Sequence, residues 1–203
     1  VSARHGISAL LILAGLIWAG TVGAMYRAVR RFETTPGRAA AAHDQWPDAS
    51  RISRPAGAWT LVTLIHPHCS CSRATIEELQ AIMEKAPPSL HSFVLVYRPS
   101  DFPAGWEKTD VVEAAYHLPR SHVVIDVDAR EARLFGGFTS GQTFLYDGNG
   151  HLRFSGGVTA LRGHAGFNRA VASVVRIAKS GSGRASHPVF GCAIISQQEG
   201  ASR

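Results

Sequence analysis

Cysteine is scarce in this chain: three in 203 residues, too few to staple a small fold with a disulfide framework. No glycine-rich phosphate loop of the P-loop or dinucleotide type is present, which argues against nucleotide chemistry. Basic residues form no cluster in the part that reads as folded, which argues against a nucleic-acid surface. The formal charge of +6 is unevenly placed, with seven Arg against three acids before residue 59 and fourteen Lys and Arg against twelve acids after it. Asp126, Asp128 and Asp147 read as turn and strand-end residues, so no carboxylate pair stands ready for acid–base work. Repeats are absent. What remains is 45% hydrophobic and 18% charged, a globular composition long enough for one ordinary domain with extra segments.

The first extra segment is apolar. Ile7 to Tyr26 carries no charge, and about twenty such residues cross the hydrocarbon core as a helix. The run exceeds the usual ~7–15 apolar residues of a signal peptide, so residues 1–31 are expected to be an uncleaved single-pass anchor in a bacterial inner membrane, with residues 7–26 in contact with lipid. The alternative is a cleaved signal with Val22-Gly23-Ala24 as its small-residue site. Three Arg follow the span and one precedes it, which favours a cytoplasmic C-terminal side. Paired cysteines in an anchored domain favour an oxidising compartment. The expectation is a periplasmic soluble domain. Residues 32–58, with Pro36, Gly37, an alanine run at Ala39–Ala42, Pro47, Pro55 and Gly57, read as a linker, with Trp46-Pro47 docking on the folded domain.

The chemistry gathers in His66-Pro67-His68-Cys69-Ser70-Cys71-Ser72. Ahead of it Trp59-Thr-Leu-Val-Thr-Leu-Ile65 reads as a buried strand. After it, Ser72 to Lys85 has apolar residues at helical spacing (Ile76, Leu79, Ile82, Met83). A thiol at the switch from strand to helix meets free N–H groups and the positive end of the helix dipole, which stabilise a thiolate. Cys69 is therefore the candidate nucleophile, and His68 a neighbour that would lower its pKa or act as a base. A Cys69–Cys71 disulfide would close a small, strained and therefore oxidising ring. Two thiolates with an imidazole of His66 or His68 also suit Cu(I), Zn or an iron–sulfur centre. A further ligand would come from His164 or from Cys192. The tail around Cys192 (Val189-Phe-Gly-Cys-Ala-Ile-Ile195) is too apolar for a disordered one and is expected to dock near Cys69 or Cys71, as resolving thiol or ligand.

Strands at 91–97, 121–126, 142–146 and 151–154, with helices at 107–118, 129–135 and 165–180, complete an α/β order. The last helix has Phe167, Val171, Val174, Val175 and Ala178 inward, and Asp147-Gly-Asn-Gly150 supplies the turn of a hairpin.

That order, with the cysteines after the first core strand, resembles the thioredoxin-like fold, in its membrane-anchored bacterial branch and its copper-handling and peroxiredoxin-like members. The resemblance covers about residues 58–180. It rests on Leu64-Ile-His-Pro-His-Cys-Ser-Cys, the helix after it, the Phe144-Leu-Tyr-Asp-Gly hairpin and the final amphipathic helix. It implies a mixed central sheet flanked by helices over residues 59–180, with residues 181–203 as a tail carrying Cys192. The family's Cys-x-x-Cys is here a CxC, with Ser72 where the resolving cysteine would stand. Ser140-Gly141 stands where the family has a cis-proline against the active cysteine, a loss that would leave the thiols open to a metal, a third protein ligand or a larger partner. The residues support three readings, in order of preference: thiol–disulfide exchange through Cys69 with Cys71 or Cys192 resolving; metal binding or delivery; and a non-catalytic subunit of a membrane complex. Each calls for a protein partner, redox or structural.

Overall fold

The computed structural model describes residues 2–39, 42–166 and 168–195. Phe167, residues 40 and 41 of the alanine run and the tail beyond Ile195 lie outside the described residues. The chain divides into two units, residues 1–35 and 36–203.

The first unit is one helix, α1 (Ser2–Thr34). Its stretch Ile7–Thr34 has a mean hydropathy of 2.0 and is long and apolar enough to cross a membrane. The exposure of Leu10, Leu13, Leu16 and Trp18 has a physical reason if lipid is their solvent.

The second unit is a six-stranded sheet in the order β3-β2-β1-β4-β5-β6. β1 (Trp59–Ile65) leads through α2 (Ser70–Lys85) to β2 (Leu90–Arg98), which lies parallel to it. α3 (Asp110–Tyr116) leads to the parallel edge strand β3 (Ser121–Val127), and α4 (Arg130–Leu134) leads back across the sheet. β4 (Gln142–Tyr146) runs antiparallel to β1 and forms a bulged hairpin with β5 (Leu152–Gly157). α5 (Arg169–Ser180) packs beside α2, and the two-residue β6 (Ala185–Ser186) extends the sheet. β1 is buried on both faces, as its unbroken apolar and β-branched sequence requires. One core lies under α2 and α5 (Leu61, Ile65, Leu79, Met83, Val174, Ile177). The other, on the opposite face, holds Val62, Leu64, Phe135, Phe144 and Tyr146.

Two expectations give way here. Residues 36–58 do not run free as a linker. Trp46 sets its ring edge-on to Phe135 and Tyr146, at 4.9 and 5.2 Å between centroids. The Ser50 hydroxyl donates to the buried Glu131 carboxylate at 2.7 Å, and Ile52 is buried in the second core. The proline and glycine content that suggests a tether instead shapes a strap. The second change is at α2, which begins at Ser70, two residues before the expected start. Cys69 is thereby its N-cap residue and Cys71 lies in its first turn.

Candidate functional site

The end of β1 and the start of α2 are joined by a tight turn in which the Cys69 N–H donates to the His66 carbonyl at 3.1 Å. Three side-chain bonds brace it. The Ser72 hydroxyl donates to the His66 carbonyl at 2.8 Å, and the His66 N–H donates to Ser140 Oγ at 3.0 Å. Ser72 Oγ and Ser140 Oγ lie 2.9 Å apart. Because the Ser72 proton goes to a carbonyl, the Ser140 proton must go to Ser72 Oγ, and the bonds close a ring: His66 N–H to Ser140, Ser140 to Ser72, Ser72 to the His66 carbonyl. Thr109, the N-cap of α3, adds a donated bond to the Pro67 carbonyl at 3.2 Å.

The tail arrives from the other side. The Gly157 N–H donates to the Pro188 carbonyl, Ser140 N–H to the Cys192 carbonyl and Ile194 N–H to the Phe138 carbonyl, at 3.2, 2.8 and 2.8 Å. Thr139 and Ala193 form an antiparallel bridge. Gly191 permits the approach to Ser140, since a Cβ there would stand 1.9 Å from the Ser140 carbonyl oxygen, and Gly156 and Gly157 permit the approach of His187 and Pro188. The Arg162 guanidinium donates to the Gly191 carbonyl.

Together these elements place the Sγ atoms of Cys69, Cys71 and Cys192 within 4.8 Å of one another. Cys69 and Cys71 are each only 5% exposed. The opening expected from the missing proline is therefore filled by the tail. All three are free thiols. The Cys192 thiol donates to Cys69 and holds its pKa down, to about 5, assisted by the N–H groups of Cys71 and Cys192 and opposed by burial. Burial pushes the Cys71 thiol up, and the neighbouring Cys69 charge adds to it. Cys192 is raised because its proton is held against Cys69, and burial adds to that. The Arg162 charge pulls Cys71 and Cys192 the other way.

A parallel β-α-β unit, an antiparallel hairpin and a closing helix surround cysteines that come directly after the first strand. The fold is thioredoxin-like. No protein-family model matches the chain, and no curated protein matches it. Among solved structures, a hypothetical protein from Sinorhizobium meliloti 1021 is similar with a TM-score of 0.57 and 19% identity, over 79% of this chain and 93% of that one. An uncharacterized conserved protein from Geobacillus kaustophilus is similar with a TM-score of 0.55 and 16% identity, over 80% and 93%. A more distant likeness is to a secreted Mycobacterium tuberculosis disulfide oxidoreductase described as homologous to E. coli DsbE, with a TM-score of 0.41 and 12% identity, over 60% and 83%.

On this thioredoxin-like frame, among the described residues, the group of mutually close ligand atoms contains no imidazole, although the Cys69 charge acts on His66. His66 Nδ1 accepts the His68 N–H at 3.2 Å, its ring sits near Tyr97 and Trp106, and burial lowers its pKa. It is therefore a neutral imidazole with its proton on Nε2. His68 is exposed and turned away, its Nε2–H donating to the Trp106 carbonyl at 2.8 Å. His164 is also exposed, with Nδ1–H donating to the Arg162 carbonyl at 2.7 Å. A groove of about 910 Å³ between α2 and α5, lined by Ala81, Val171 and Val175 among others, shares no residue with the thiols. Sequence reasoning places Ser140 opposite the cysteines but gives its side chain, which braces the turn, no role, and Arg162 carries no sequence signal. The signal for Ser140 lies in the paired departures from the family pattern: a serine at 72 and a serine at 140.

Proposed function

We propose that the chain is a membrane-anchored thiol–disulfide exchange protein in which Cys69 is the attacking thiol and Cys192 the resolving one. The observation that carries this reading is the convergence of a cysteine at a helix N-terminus with a cysteine from the tail. Cys71 is the poorer resolving group, because a bridge between residues two apart closes a strained ring. Cys192 sits on a separate segment that has no such limit.

The exchange runs as two displacements. The Cys69 thiolate attacks a sulfur of the partner's disulfide; a mixed disulfide forms and the partner's other sulfur leaves as a thiolate. Cys192 then loses its proton and attacks Cys69 Sγ, forming Cys69–Cys192 and releasing the partner's second thiolate. Two electrons pass from the chain to the partner, and a second dithiol returns them by the reverse steps. Arg162 lowers the cost of ionising Cys192.

Reaction of the reduced full chain in detergent with glutathione disulfide tests the assignment. The Cys192→Ala variant is expected to accumulate a glutathione adduct on Cys69, whereas wild type and Cys71→Ser pass through it. Accumulation in Cys71→Ser but not Cys192→Ala would contradict it. The anchoring half of the reading places α1 in a bacterial inner membrane with the domain in the periplasm. A reporter active only outside the cytoplasm, fused after residue 203, is expected to be active; an intact but silent fusion would place the domain inside.

A further inference from the structure

The three sulfurs form more than a redox pair with a spare. Exchange needs two of them, yet Cys71 stands in the same group, all within 4.8 Å. Donors ~2.3 Å from a central ion stand about 4 Å apart in a trigonal plane, so the three Sγ atoms need to close only slightly to share one ion.

We propose that Cys69, Cys71 and Cys192 form a three-coordinate thiolate site for a soft monovalent cation, Cu(I). The donor set selects it. Thiolates favour Cu(I) and Zn, but a structural zinc site wants a fourth protein ligand, and among the described residues the group of close donor atoms contains no imidazole. The lone pair of His66 Nδ1 is taken by the His68 N–H, which leaves a protonated Nε2. His68 and His164 each donate one ring N–H to a carbonyl, of Trp106 and Arg162, which leaves the other nitrogen able to ligate. Their other nitrogens lie outside the sulfur group. Cu(I) is content with three sulfurs. Its trithiolate carries a net charge of two minus, of which the Arg162 guanidinium, already acting on Cys71 and Cys192, offsets one. Binding displaces the thiol protons still present and moves no electron. It does not depend on the exchange reading, but it competes with it, since a Cys69–Cys192 disulfide removes two ligands.

The test titrates the reduced full chain in detergent, without oxygen, against a chromogenic Cu(I) chelator, and reads the metal's neighbours by X-ray absorption. One copper per chain with three sulfur neighbours and no nitrogen is expected. Cys192→Ala is expected to weaken binding by at least ~10–100-fold, the size of effect that loss of even an outer-shell partner produces, while His66→Ala leaves it unchanged. A nitrogen neighbour, preferential retention of Zn(II), or wild-type affinity in Cys192→Ala would overturn the proposal. The wild-type spectrum needs no variant to fold. Failure here with a normal glutathione result leaves exchange standing; a failed exchange with a three-sulfur copper spectrum does the reverse.

Discussion

The two sides of the site are built differently. The segment from His66 to Ser72 is held by the central strand β1, by α2 and by the closed ring of bonds through Ser72 and Ser140. The segment from His187 to Ile195 is held by backbone bonds to Gly37, Ser155, Gly157, Phe138 and Ser140, by close approaches at Gly156, Gly157 and Gly191, and by the burial of Val189, Ile194 and Ile195. The first is continuous with the central strand; the second lies outside the named strands and helices and reaches the core through Ile194 and Ile195. A nucleophile gains from a rigid seat that fixes its N–H donors, whereas a resolving cysteine must move onto the mixed disulfide. Under the proposed exchange, the contrast in attachment would match a contrast in task.

The sharpest way to break this contrast is at Gly191. A methyl group there meets backbone, not a flexible side chain, so Gly191→Ala is expected to free the tail and leave β1 and α2 intact. Oxidative linking of Cys69 to Cys192 is expected to fall about tenfold or more, equivalent to at least ~1.4 kcal/mol of docking, and amide exchange is expected to rise from residue 187 onward only. Loss of protection in β1 as well would mean that the two sides fold as one.

Ser140→Ala attacks the other side. It leaves the His66 N–H without its acceptor and Ser72 without a donor, so unfolding in urea is expected to show a loss of about 1–3 kcal/mol. Ser72→Ala, which spares the His66 N–H bond, is expected to cost less.

The pH profile of Cys69 reads the contact between the two sides. Its alkylation rate tracks the thiolate fraction. In wild type the rate is expected to be flat above neutral pH and to fall through a midpoint near the pKa of about 5. Cys192→Ala removes the donated hydrogen bond that favours the thiolate, so the midpoint should move up toward that of an ordinary thiol. An unmoved midpoint would assign the effect to the groups other than the Cys192 thiol, the N–H donors of Cys71 and Cys192 among them. The smallest effect is expected at His164, exposed and outside the sulfur group: His164→Ala should change stability by less than about 0.5 kcal/mol and leave the Cys69 profile as it is.

The rigid side is largely legible in the sequence. An unbroken apolar run before the cysteines and helical spacing after them give β1 and α2, and the glycine turn at 147–150 gives the hairpin. The start of α2 is hidden because Cys69 caps it without a side-chain bond, so no capping signal marks the boundary. Of the strap at 36–58 only the docking of Trp46 is legible; the rest reads as a tether because an anchor such as Ser50 on Glu131 joins residues some 80 positions apart. The tail's apolar composition says that it docks. Where it docks depends on Gly191 meeting Ser140, which no local pattern encodes. The histidines are the converse case: dense in sequence beside the thiols, they are turned to Trp106 and to each other.

The central claim is that the tail brings Cys192 to Cys69. Equilibrating the full chain in glutathione buffers, trapping free thiols and mapping the unreduced peptides by mass spectrometry tests it directly. The account predicts that the peptide carrying Cys69 is linked to the one carrying Cys192, with Cys71 trapped as a free thiol. A Cys69–Cys71 bridge with Cys192 free at every potential would contradict it.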